Sequence, residues 1–160
     1  MLGQEHLTLP EIRAKIRRWC AYQDRSQAET RSRLQALGLS GTWLDEELGA
    51  LVLEGFVSDA RFASAYVRGH LAKGWGRHKL AQGLQAAGIP DHLIKRTLTD
   101  EIDEATYRAT LAKLVAKKLP TVVDPNPVRR AFKVARYLEQ KGYSRQEART
   151  ALAEAGLGTP

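Results

Sequence analysis

The sequence is poor in several residue types, and each scarcity excludes something. One cysteine, Cys20, stands among 160 residues, so no internal disulfide forms, no zinc knuckle can be built, and a reducing cytoplasm is the default compartment. The histidines are His6, His70, His78 and His92, with no HExxH pair; no metal or cofactor is expected. The longest apolar stretches, such as Leu51-Val52-Leu53, fall far short of the roughly 18 residues that a membrane span needs. No apolar segment of the secretory type follows Met1. Strand signals are nearly missing as well, with weak alternation only around Thr121 to Val123. No nucleophile, base and orienting group can be assembled from the side chains present, so an enzyme is not expected.

What is abundant is helix signal. Ile12, Ile16, Trp19 and Cys20 fall one or two turns apart between Glu11 and Gln23 and share a face. Ser26-Gln27-Ala28-Glu29 reads as a capping box that opens a second helix, and Gly38 is placed to end it. Self-comparison then fixes the architecture. Leu34-Gln-Ala-Leu-Gly38-Leu39-Ser40 returns as Leu84-Gln-Ala-Ala-Gly88-Ile89-Pro90 and as Leu138-Glu-Gln-Lys-Gly142-Tyr143-Ser144, at offsets of 50 and 54 residues. Six residues past each glycine come Leu44, Ile94 and Ala148; ten past come Leu48, Leu98 and Leu152. Chance does not give three copies in register.

Each copy reads as three helices. The glycine stops the second helix in the left-handed conformation, the apolar residue after it turns inward, and Ser or Pro starts the third. First helices are predicted at about 11–23, 58–73 and 103–119, with Ser58 as a cap. Pro120 to Pro127 holds three prolines and reads as a loop. Residues 1–9 and those after Gly156 read as loose ends. The expectation is an all-α, elongated, curved array of three tandem three-helix, helix-turn-helix-like repeats, at 10–56, 57–101 and 102–156. A unit of about 50 residues buries little core alone, and tandem neighbours support one another.

Charge adds a functional direction. Lysine plus arginine number 25 and aspartate plus glutamate 18, a formal net charge of +7. Residues 1–56 hold 7 basic and 8 acidic side chains, residues 57–100 hold 7 and 3, and residues 101–160 hold 11 and 7. All the excess lies in the second and third repeats. Arg61, Arg68, Lys73, Arg77 and Lys79 surround the Gly74-Trp75-Gly76 hinge, interleaved with Trp75, a pattern that favours phosphate contact with stacking. Arg129, Arg130, Lys133 and Arg136 cluster farther on, and three of them, Arg129, Lys133 and Arg136, form one helical stripe. These ten residues are the candidate contacts for a partner protein or for DNA. Cys20 reads as a packed thiol, and Asp45, Glu46 and Glu47 as a solvated first-turn cluster. Gly74 to Lys79 lacks the spacing and the preceding strand of a P-loop. The third helices carry too many acids to read a major groove.

Gly55-Phe56-Val57-Ser58-Asp59-Ala60-Arg61-Phe62-Ala63, followed by Lys73-Gly74-Trp75-Gly76-Arg77-His78-Lys79-Leu80 and the Leu84 to Ile89 corner, resembles the central block of the RecX family, regulators of the bacterial recombinase RecA. Ser58 departs from the family pattern, where a second acidic residue is expected. The resemblance implies a non-enzymatic cytoplasmic monomer that lodges in the groove of the RecA filament on single-stranded DNA. It implies inhibition or modulation of ATP hydrolysis, strand exchange and filament stability, in homologous recombination, DNA repair and the SOS response. The alternative is a helical-repeat protein that binds single- or double-stranded DNA directly, with no recombinase partner.

Overall fold

The computed structural model describes residues 6–157, and these are all-helical, with no strand among them. The helices are α1 (Leu9–Tyr22), α2 (Gln27–Ala36), α3 (Gly41–Leu53), α4 (Asp59–Leu71), α5 (Arg77–Ala86), α6 (Asp91–Glu101), α7 (Glu104–Lys118), α8 (Pro127–Gln140) and α9 (Arg145–Glu154). Their starts follow from side-chain chemistry. Thr8, Ser26 and Ser144 each accept from the backbone amide three residues on, while Glu11, Glu29 and Glu147 reach back to the cap's own amide. These are three capping boxes, each satisfying two orphan amides. Ser58 caps α4 through the Arg61 amide at 3.2 Å, and Asn126 caps α8.

Two expectations change here. Thr8 and Leu9 belong to α1 and its cap, because the Thr8 and Glu11 side chains exchange bonds with the backbone; residues 1–5 and 158–160, read as loose, lie outside the described residues. Pro120 to Pro127 is not loop throughout. Leu119–Thr121 forms one 3₁₀ turn, and Pro127 is the first residue of α8. Proline is tolerated at both places, since the first turn of a helix needs none of the amides it lacks.

The chain divides into two compact units, one made of Met1–Ala65 and Leu84–Ile94, the other of Tyr66–Gly83 and Lys95–Pro160. In the first, Ile12, Ile16 and Cys20 of α1 pack with Leu34, Leu44, Leu48, Leu51 and Val57, and Leu7, Trp19, Leu39 and Phe56 close the margin. Burial pushes the Cys20 thiol up, which leaves it a packed, unreactive group. In the second, α7, α8 and α9 pack on one another, with Leu111, Val115, Val134, Leu138, Tyr143 and Leu152 buried. The repeat register is a core register. Leu34, Leu84 and Leu138 are each completely buried, as are, to within a few percent, Leu44, Ile94 and Ala148. Each fully buried leucine contributes about 2 kcal/mol of transfer free energy.

A second correspondence lies between repeats, and each example of it lies within one compact unit. In the first unit, the Ser26 hydroxyl donates to the Ala87 carbonyl at 3.0 Å and the Gln27 amide to Asp59 at 2.8 Å. In the second, the Gly76 amide donates to the Lys141 carbonyl at 2.8 Å and the Arg77 amide to the Tyr107 hydroxyl at 3.0 Å. Ser26 and Gly76 are 50 positions apart and Ala87 and Lys141 are 54, the offsets that relate the corners themselves. The start of the second helix in the first and second repeats thus gives its spare amides or cap to the next repeat's glycine corner and first helix. Both glycines are needed for closeness as well as for φ. A Cβ on Gly88 would fall 2.4 Å from the Ala28 Cβ, and one on Gly142 2.5 Å from the Lys79 Cβ. Gly38, the matching corner of the first repeat, has nothing within 4 Å.

Tyr143 and Tyr107 lock the second of these joints. The Tyr143 hydroxyl donates to the Gly74 carbonyl at 3.0 Å, and the two rings lie 5.3 Å apart. Burial holds both phenols neutral to unusually high pH, Tyr107 being pushed from 10.0 up to about 12. A phenol whose pKa is higher folded than unfolded stabilises the fold fully below pH 10.0, and that stability is lost as the pH rises through about 12. For Tyr107 the total is about 3 kcal/mol. In an ultraviolet phenolate titration of the five tyrosines, Tyr107 and Tyr143 should ionise last and together with loss of helical signal. Ionisation of all five in one step well before unfolding would contradict this.

Candidate protein-interaction surface

The structure gives most of the basic side chains singled out in the sequence a partner of their own. Arg61 donates to the Gly55 carbonyl at 2.6 Å and pairs with Asp24 at 3.4 Å. Arg68 clasps Glu101 through two bonds of 2.7 and 2.9 Å. Arg77 lies over the Tyr107 ring at 4.2 Å and pairs with Glu104 and with Glu147, the latter at 3.0 Å. Lys79 sits 4.1 Å above the Trp75 ring, which packs tilted on His70 at 4.1 Å and nearly at right angles to Tyr66 at 6.2 Å. Trp75 is therefore half-buried within the second unit and holds a cation in place. Lys73 is exposed, and its carbonyl accepts from Lys141.

On α8 the stripe is split. Arg129 at 3.4 Å and Lys133 at 3.0 Å converge on Asp124, whose carboxyl is held below the usual range by the Asn126 amide, then by Lys133 and Arg129. Arg130 turns the other way and donates to the Val122 and Leu119 carbonyls, fastening the segment before α8. Arg136 meets no carboxylate among the described residues.

Arg136 instead borders a hollow of about 500 Å3 between α8 and α9. Its floor is Val128, Phe132, Ala135 and Ala148, and its rim is Arg136, Arg145 and Arg149, with Glu139 paired to Arg145 at 3.3 Å. Val128 and Phe132 are each 61% exposed. They stand one turn apart on α8, off the stripe of Ala131, Val134 and Leu138 that faces the core. An exposed aromatic ringed by arginines is the composition of an interface centre, where aromatic anchors and Arg dominate binding energy. Sequence reasoning passed over Val128 and Phe132, although two bulky apolar residues outside the buried stripe of a helix were the available signal. It also set the acids of α9 against Arg145 and Arg149. Glu147 in fact faces away, capping α9 and pairing with Arg77, so the open side of α9 is basic.

Glu47, read as part of a solvated cluster, is 4% exposed and receives Arg13 at 3.0 Å and Arg17 at 3.3 Å. The heptad-like spacing of Leu44, Glu47, Leu48 and Leu51 puts it on the buried face of α3, where a carboxylate persists only when paired. Asp45 remains exposed and pairs with Arg31.

Nine α-helices among the described residues and glycine corners at constant register define a small helical-repeat protein. No described group of histidine, cysteine, aspartate and glutamate could hold a metal ion, and no described helix is long and apolar enough to cross a membrane. Residues 58–98 match the second three-helix domain of RecX. Regulatory protein RecX of Chromohalobacter salexigens is 33% identical over 142 residues, covering 89% of this chain and 91% of that protein. The one from Halorhodospira halophila is 28% identical over 145 residues, covering 90% and 88%. A crystal structure of RecX from Lactobacillus salivarius superposes with a TM-score of 0.78 at 21% identity, over 92% of this chain and 99% of that one. The chain belongs to the RecX family of regulatory proteins.

Proposed function

We propose that this protein binds RecA nucleoprotein filaments, in the filament groove, and inhibits or modulates their ATP hydrolysis, strand exchange and stability during recombination and repair in the cytoplasm. The match to relatives named regulatory protein RecX along nearly the whole of both chains carries the reading. The open surface supports it: a partner that is a protein filament on DNA offers both apolar pockets for Phe132 and negative charge for Arg136 and Arg149. Of the basic residues, Lys73 and Arg136 are the proposed contacts with no carboxylate partner among the described residues, Arg61, Arg68, Arg129 and Lys133 stay exposed beside theirs, and Arg77 and Lys79 act through the second unit's own packing. Adding the purified protein to RecA preformed on single-stranded DNA should lower ATP hydrolysis and strand exchange in a dose-dependent way. Unchanged rates at excess protein would remove the proposal.

A further inference from the structure

The first repeat is the acidic one by count, yet its charges are sorted in space. Among its described carboxylates, Glu11 closes a capping box, Asp24 meets Arg61, Asp45 meets Arg31, Glu47 takes Arg13 and Arg17, and Glu54 takes Arg17 again. What those pairings leave is a face of α1 and α2 whose one paired acid, Glu29, answers Arg25 alone. Beside the buried stripe of Ile12, Ile16 and Cys20, α1 carries a second stripe at three- and four-residue steps: Lys15, Arg18, Trp19 and Tyr22. Arg25 and Arg33 complete a shallow hollow of about 350 Å3 whose lining holds no carboxylate.

The six side chains differ in what they have left to offer. Trp19 is the scaffold: the Arg25 guanidinium lies 3.9 Å above its ring and donates to its carbonyl at 3.2 Å, and Arg33 approaches to 6.0 Å. Arg25 also meets Glu29 at 3.6 Å, so its charge is partly answered. Lys15, Arg18 and Arg33 have no carboxylate partner among the described residues. Tyr22 is 84% exposed, a free flat ring one turn from Arg18. Cations without acids attract a polyanion, and the ring beside them narrows the class. A duplex keeps its bases stacked inside and would leave the ring idle, and an acidic protein carries flat groups only at scattered side chains, not one beside each negative charge. A single strand offers both phosphates and open bases.

We propose that this face of the first unit binds single-stranded nucleic acid, with phosphates on Lys15, Arg18 and Arg33 and a base stacked on Tyr22. The proposal goes beyond the filament reading and does not rest on it. The test uses the full chain with no recombinase present, by fluorescence anisotropy of a labelled oligothymidylate, an abasic oligomer of equal length and a duplex. Tyr22→Ala should weaken oligothymidylate binding about tenfold and leave abasic binding unchanged. Replacing Lys15, Arg18 and Arg33 by alanine should flatten the log–log salt dependence by about 2, at roughly 0.7 per phosphate. Helical circular dichroism should persist in both, since all these side chains point to solvent or lie at its edge. Three results would each overturn the proposal: a wild-type affinity in Tyr22→Ala, equal affinity for abasic and thymidylate strands, or tighter binding of polyglutamate than of oligothymidylate at matched charge, which would assign the face to an acidic protein. Any of them leaves the filament proposal standing.

Discussion

Gly76→Ala should lower the thermal midpoint of the protein by roughly 10 °C. Gly76 has no positive φ, so backbone strain is not the reason. The added Cβ would fall 2.4 Å from the Gly142 carbonyl carbon and oxygen and 2.6 Å from the Tyr143 amide nitrogen. All three are main-chain atoms, which cannot swing aside as a side-chain tip can. Relief therefore requires the start of α5 to withdraw from the α8–α9 corner. That motion breaks the bonds from the Gly76 and His78 amides to the Lys141 and Gly142 carbonyls, of 2.8 and 3.0 Å, and leaves buried polar groups unpaired at about 1 kcal/mol or more each. With the steric term the sum is about 3 kcal/mol. Gly38→Ala is the natural control, because its φ of +107° strains a side chain while nothing stands within 4 Å; it should cost only about 1 kcal/mol. Thermal melts by circular dichroism decide between them. A Gly76→Ala midpoint within about 2 °C of wild type would show that the two corners part easily.

On the functional side, the combination Phe132→Ala, Arg136→Glu and Arg149→Glu should raise the concentration needed for half-inhibition of RecA by about thirtyfold. Truncating an aromatic anchor at an interface centre costs about 2 kcal/mol, and each 1.4 kcal/mol is tenfold. The fold should survive, since Phe132 is 61% exposed and Arg136 and Arg149 hold no partner among the described residues. Lys133→Ala makes an informative companion. Its ammonium is shared with Arg129 around Asp124, so losing it leaves that carboxylate paired and should change inhibition less than threefold, below about 0.7 kcal/mol. Inhibition by the triple variant at wild-type concentrations would clear the α8–α9 groove of any part in filament binding.

Local signals in the sequence carried most of the fold. The glycine corners at Gly38, Gly88 and Gly142 and the apolar positions six and ten residues beyond them set helix ends and core faces together, and these depend only on neighbours in the chain. Thr8-Leu9-Pro10-Glu11 and Ser144-Arg145-Gln146-Glu147 carried the same capping signature as Ser26 to Glu29 and were legible by the same rule. What was not legible is pairing at long range. Nothing near Glu47 announces Arg13 and Arg17, more than thirty residues earlier, and nothing near Lys133 says that Asp124 takes part of its charge. Net charge by segment misled for the same reason. It gave the first repeat −1 and hid a face of that repeat on which Lys15, Arg18 and Arg33 meet no carboxylate among the described residues.

The compact units are interleaved along the chain, and this bears on synthesis. The first unit needs Leu84–Ile94 to complete it, so it cannot close when Ala65 has been made. At roughly 5–20 residues per second the wait for Ile94 is on the order of a few seconds. Throughout that interval Val67 and Leu80, which end fully buried, lie in a stretch whose own partners, residues 95 onward, have yet to be translated. A nascent chain released or cut between Ala65 and Ile94 would therefore lack a finished unit of either kind, and its survival would depend on whatever shelters unburied leucine and valine in the cell.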